Sequence, residues 1–168
     1  MSRQPDRAPA LTLAQECGLV RPSPGWWAWL GDGHVLPALL VAVPVWLALG
    51  LTVGGRMHVA AGWSAWISLM LLQPITEEFV FRGVLQGQLL RLSSARKVGP
   101  VTLANLCTTA GFVALHFPVQ PLGWALAVAI PSVIFGHMRE RFSSVLPAVV
   151  LHAIYNAGFG LTAWWVHH

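Results

Sequence analysis

The sequence predicts an all-α fold, a polytopic transmembrane helical bundle of about five spans. Three observations carry this prediction. First, only 10% of the 168 residues are charged while 55% are hydrophobic, and the mean hydropathy is +0.62. A soluble domain carries about 25% charged residues, so sixteen charges cannot coat a water-soluble globule of 18.2 kDa. Disorder, a nucleic-acid-binding domain and an ordinary soluble enzyme are excluded on that ground. Second, five runs lack any charge and approach the roughly 20 residues that a helix needs to cross a bilayer. Third, the basic residues sort by loop, although the net charge behind the high pI of 10.1 is only +4.

In chain order, Met1–Gly25 contains Pro and Arg and has no continuous apolar core, so it does not read as a cleavable signal peptide. Residues 1–33 are expected to form a cytoplasmic or interfacial lead-in, and 34–168 the transmembrane domain. Trp26, Trp27 and Trp29 suit the bilayer interface. The five runs are Val35–Val53, Val59–Thr76, Gly99–Phe117, the slightly shorter Pro121–Met138, and Ser143–Val166. The second continues through Glu77, Glu78 and Arg82 to Leu92. As one helix it would measure about 50 Å, so it must tilt, break near Pro74, or begin outside the membrane. Gly111, Gly123, Gly136, Gly158 and Gly160 lie in the last three spans, where small residues let membrane helices approach closely. Cys17 and Cys107 are far apart, form no Cys-x-x-Cys pair, and read as free thiols.

Alternating the spans places Arg3, Arg7, Arg21, Arg91, Arg96, Lys97, Arg139 and Arg141 on one side and Arg56 alone on the other. The positive-inside rule then puts the N-terminus in the cytoplasm and the C-terminus outside. The expected location is a bacterial inner (cytoplasmic) membrane, with the lipid bilayer as a partner and no nucleic acid.

Arg82 is left inside a span, beside two carboxylates. Two adjacent glutamates, Glu77 and Glu78, cannot both face lipid, where a charge costs at least about 2.5 kcal/mol on insertion scales. On a helix Glu78 and Arg82 are four apart and can pair, while Glu77 points about 100° away and is left free for work. The bland alternative is a helix end that snorkels into water. His116 ends the third span and, taken alone, suits a headgroup contact. His152 and Asn156, at i and i+4, share one face of the fifth span and, taken alone, suit interhelical hydrogen bonding. Taken together, three spans each contribute polar groups of the kind peptide hydrolysis uses. A carboxylate with a histidine can deprotonate water, and a histidine with an amide can hold an oxyanion.

Glu77-Glu78-x-x-x-Arg82, Phe112-x-x-x-His116 and His152-x-x-x-Asn156, in this order over roughly residues 70–160, resemble the three signature motifs of the CAAX-protease and bacteriocin-processing (CPBP, or Abi) family of intramembrane endopeptidases. The resemblance implies that Glu77 and His116 activate water. It also implies that His152 and Asn156 stabilise the oxyanion, and that Glu78, Arg82 and Phe112 support the site. It favours a glutamic-type mechanism with no cofactor. The sequence lacks a His-Glu-x-x-His zinc motif. Zinc on Glu77, His116 and His152 stays the minority alternative. The expected substrate is a membrane-anchored or tail-bearing protein or peptide, cut near its terminus. Short members of the family resemble sorting-associated enzymes that trim C-terminal anchoring signals. Two other readings keep the same bundle. One is a non-catalytic peptide-binding immunity protein. The other is a small proton or ion carrier, which the absence of repeat symmetry disfavours.

Glu77 and His116 can meet only if the second span begins nearer Trp66, which predicts that Val59–Ser64 lies partly outside the membrane.

Overall fold

The computed structural model describes residues 11–53, Met57 and 62–168. It is an all-α helical membrane protein whose helices are α1 (Leu13–Glu16), α2 (Val35–Leu40), α3 (Ala42–Val53), α4 (Gly62–Ile67), α5 (Gln73–Glu78), α6 (Gln86–Leu92), α7 (Leu103–His116), α8 (Leu122–Ala127), α9 (Ala129–Phe142) and α10 (Leu146–His167). Among the described residues, three segments are long and apolar enough to cross a membrane: Val35–Thr52, Leu122–Phe142 and Leu146–His167. Helix α10 is the hub and packs against α9, α3 and α5; α7 lies against α9 and α6. The buried core joins Val35 and Ala38 of α2 to Phe135, Met138 and Phe142 of α9 and to Ala148 and Leu151 of α10.

The second run forms a helical path over 62–92, roughly 45 Å long at helical rise. It does not break at Pro74. Instead it widens into two π-helical stretches, Ser68–Leu72 just before Pro74 and Phe79–Leu85 around Arg82. Proline has no N–H to give and its ring crowds the carbonyl four residues back; a wider turn relieves both. Half of Val59–Ser64, residues 59–61, falls outside the described residues. Gly62–Ser64 belong to α4, where Trp63 is exposed.

The third run is shorter as a helix than as an apolar stretch. Lys97–Val98 and Val101–Thr102 pair as an antiparallel hairpin, so α7 starts only at Leu103. The turn is Gly99-Pro100, with Gly99 at φ +64°, a conformation open to glycine at little cost. Thr102 then caps α7 by accepting the Asn105 amide N–H at 3.0 Å.

Residues 11–24 lie against the helices rather than apart from them. Thr12 opens α1 with a capping box to Gln15. The Glu16 carbonyl accepts from Arg139 at 2.7 Å, the Gly18 carbonyl from the Val145 amide at 3.0 Å, and the Val20 carbonyl from the Ser144 hydroxyl at 2.7 Å. Arg139 and Arg141 therefore sit in the last turn of α9, not in a connecting loop. Arg139 is buried over Glu16, and Arg141 grips Asp32 through two bonds of 2.8 Å. That guanidinium, above all, holds the Asp32 carboxyl well below the usual carboxylate range. The Trp cluster also divides. Trp26 and Trp27 are exposed as expected of interface residues, whereas Trp29 is buried against Phe142 with its indole N–H on the Trp26 carbonyl. Both cysteines are free, Cys17 buried and Cys107 exposed.

The glycines explain several close approaches. A Cβ at Gly136 would overlap Asn105 of α7, and one at Gly158 would overlap Trp46 of α3; Gly123 faces open space. Gly87 of α6 lies directly under the Glu16 carbonyl. Gly87→Ala should force the lead-in off α6, at about 1–3 kcal/mol. The expected result is a lower thermal midpoint in micelles, with the buried Cys17 thiol becoming reactive to a maleimide. Unchanged melting and labelling would mean that the lead-in is not held there.

Candidate active site

The polar residues of the bundle gather where the middle of the 62–92 helix meets α7, α9 and α10. Glu78 and Arg82 lie one turn apart and are fully buried; the Arg82 Nη1 donates to Glu78 Oε1 at 2.9 Å. The other Arg82 terminal nitrogen reaches α9 and donates to the Ser132 carbonyl at 3.0 Å and hydroxyl at 2.8 Å. The Ser132 hydroxyl in turn donates to Thr109 Oγ1 of α7 at 3.0 Å. The flat guanidinium lies over two aromatic faces, 4.7 Å from the centroid of Phe112 and 5.5 Å from that of Phe135. Aromatic faces attract a cation most where water is excluded.

Glu78 Oε1 also accepts from His152 Nδ1 at 2.8 Å. A carboxylate only accepts, so the proton of that bond sits on His152 Nδ1. The imidazole stacks on Phe135 at 5.0 Å and 21°. The orientation is thus set, and Nε2 is turned toward Glu77, whose Oε2 is 3.9 Å away. The Glu77 side chain is 33% exposed against 0% for Glu78. The two neighbouring carboxylates therefore differ in kind: one is locked between a guanidinium and an imidazole, the other borders open space.

His116 ends α7 on the other side of Phe112. Its Nδ1 lies 2.8 Å from the Phe112 carbonyl, which accepts only, so Nδ1 carries the proton and Nε2 has no hydrogen-bond partner among the described residues. Phe112 is the shared wall, 4.6 Å from the His116 ring and 6.4 Å from the His152 ring by centroids. No direct hydrogen bond joins His116 to Glu77 or His152 among the described residues. Asn156 lies one turn beyond His152 on α10 and donates one Nδ2 hydrogen to the Leu69 carbonyl at 2.9 Å. Among the described residues, no three His, Cys, Asp or Glu side chains converge as metal ligands.

Glu77, Glu78 and His152 are thus brought into one cluster with Arg82 and Phe112, while His116 and Asn156 border it. Sequence reasoning missed Ser132, which accepts from Arg82, and Thr109, which accepts from Ser132. A lone hydroxyl in the apolar run Ile130-Pro131-Ser132-Val133 is a weak signal, because serine also serves simply as a small packing residue.

A family model described as type II CAAX prenyl endopeptidase Rce1-like matches residues 58–158, more than half of the chain. The chain belongs to the Rce1-like family. The stretch matched to the Rce1-like model contains all the residues of the cluster, including Ser132 and Thr109. No curated protein and no solved structure matches the chain. The Rce1-like family is one of CAAX proteases acting on membrane-associated proteins or peptides. With its apolar helices, this Rce1-like chain is an integral membrane protein.

Proposed function

We propose that this protein is an intramembrane endopeptidase of glutamic type, which hydrolyses a peptide bond near the terminus of a membrane-associated protein or peptide. The observation that carries the reading is the division of labour between the two glutamates. Glu78 Oε1 accepts from both Arg82 and His152, and Glu77 stands one-third exposed, 3.9 Å from Nε2 of an imidazole held in place.

In the proposed reaction a water lies between Glu77 and His116 Nε2. Glu77 takes its proton as the oxygen attacks the scissile carbonyl carbon. The resulting oxyanion is held by His152 Nε2–H and by the second Nδ2 hydrogen of Asn156. For this His152 has to enter the reaction already carrying a proton on Nε2 as well as on Nδ1, with Glu78 as its partner charge, and it keeps both protons throughout while the water proton passes through Glu77 alone. Collapse breaks the C–N bond, and Glu77 returns the proton to the departing amine. Fixed donors of this kind matter most where water is excluded. Glu78, Arg82 and Ser132 touch no reacting atom in this scheme; they hold His152. No metal takes part.

The test is cleavage by the full-length protein in liposomes, with products read by mass spectrometry. The probes are a farnesylated CAAX-terminated peptide, its unprenylated twin, and a membrane protein with an apolar C-terminal tail. The expected result is a single cut near the terminus of at least one probe, unaffected by phenanthroline. Activity lost to the chelator and restored by zinc would overturn the metal-free mechanism. Tight binding of a probe without any cut would favour the non-catalytic peptide-binding reading instead.

A further inference from the structure

We infer that Pro74 is a positioning residue for Asn156, and that it acts through the hydrogen bond it cannot make. In the π-helical stretch Ser68–Leu72 the Gln73 amide N–H donates to the Ser68 carbonyl, five residues back. This removes the partner that the Leu69 carbonyl would have in an α-helix. The partner it would have in the continuing π-helix is the N–H of residue 74, and residue 74 is a proline, which has none. Both helical donors are therefore withheld from a single carbonyl. That carbonyl is the one that accepts from Asn156 Nδ2 at 2.9 Å.

The Leu69 carbonyl is only partly buried, but a main-chain carbonyl shielded from water still loses free energy without a partner, so a donor from a neighbouring helix is favoured there. The acceptor also decides which way the amide faces. A carbonyl oxygen cannot donate, so Nδ2 must point at Leu69 and Oδ1 away from it. One hydrogen is used on Leu69 and the other remains for a ligand. Without the Leu69 bond the amide is free to flip and to present Oδ1, which repels an anion. Pro74 is itself fully buried in the fold, and π-helical turns occur often at functional sites. The inference rests on the proposed role of Asn156 as an oxyanion donor, but the geometry it concerns can be observed without any substrate.

Asn105 and Asn156 are the only asparagines in the sequence. Labelling asparagine side chains with nitrogen-15 in the full-length protein in bicelles therefore yields two amide pairs. The Asn105 pair, bonded to the Val133 carbonyl at 3.0 Å, serves as internal reference. Pro74→Ala restores an N–H and lets the helix claim the Leu69 carbonyl. The expected result is a shift of the Asn156 pair and faster exchange with water, while the Asn105 pair stays in place. A second variant carries lactic acid in place of that alanine. Its ester link again lacks the N–H but has no ring, and the wild-type Asn156 signals should return. An unmoved Asn156 pair in Pro74→Ala would overturn the inference. So would an ester variant that behaves like Pro74→Ala, since the ring rather than the missing donor would then be responsible. On whichever probe the wild type cuts, Pro74→Ala should lower kcat by about tenfold with KM within about twofold, as expected when part of an oxyanion donor's effect is lost. A shifted Asn156 pair with an unchanged kcat would support the positioning and overturn instead the role proposed for Asn156.

Discussion

Glu77→Gln is expected to lower kcat by about a thousandfold, or about 4 kcal/mol in the barrier, within the range for loss of a general base. The amide keeps the size and shape of the carboxylate but cannot accept the proton of the attacking water. The same substitution should leave the fold intact. Glu77 is one-third exposed, and its nearest ionisable partner is the His152 nitrogen at 3.9 Å. A change of that kind usually alters stability by no more than about 0.5 kcal/mol. The measurement pairs steady-state cleavage with thermal unfolding of the purified variant. A Glu77→Gln protein that cuts at the wild-type rate would sink the mechanism. One that binds the probe as before but does not cut would separate an enzyme from a binding protein.

Arg82→Met is expected to be the most destabilising single change in the site, at about 3–5 kcal/mol. It removes the guanidinium but leaves the fully buried Glu78 carboxylate with only His152 as partner, and strips the Ser132 carbonyl and hydroxyl of their donor. Combining Arg82→Met with Glu78→Gln removes the stranded charge, so the double variant should melt closer to wild type than Arg82→Met alone. That ordering is the test, because removing one partner of a buried pair costs more than neutralising both. If Arg82→Met melted like a surface variant, the pair would not be supporting the helix contact. Cleavage should fall in both variants, since each disturbs the bond that orients His152.

Much of the site was legible because it is local. Residues four apart share a helical face, so the Glu78–Arg82 pair and the His152–Asn156 face can be read from spacing alone. Membrane burial of so few charges likewise marks them out. The fold was legible to the extent that apolar runs make helices, and less so where main-chain detail intervened. Gly99-Pro100 turns the start of the third run into a hairpin, a signal present in the sequence but outweighed there by the unbroken apolar stretch. Trp29 looked like its neighbours Trp26 and Trp27. Its burial depends on Phe142, more than a hundred residues away.

By itself, the sequence determined that this chain lives in a bilayer as a helical bundle, and which of its few charges have to be sheltered by protein. Solvent class follows from composition, and helical faces follow from a repeat of 3.6 residues. Only the tertiary structure decided that Glu78 is shared between Arg82 and His152, that Ser132 closes the far side of the guanidinium, and that the Leu69 carbonyl turns the Asn156 amide. Those bonds join segments 50 to 87 positions apart. Their partners depend on how the helices pack and on two π-helical turns that displace the facing side chains. A side chain's place along its own helix is local, but what it meets across the interface is a property of the whole bundle.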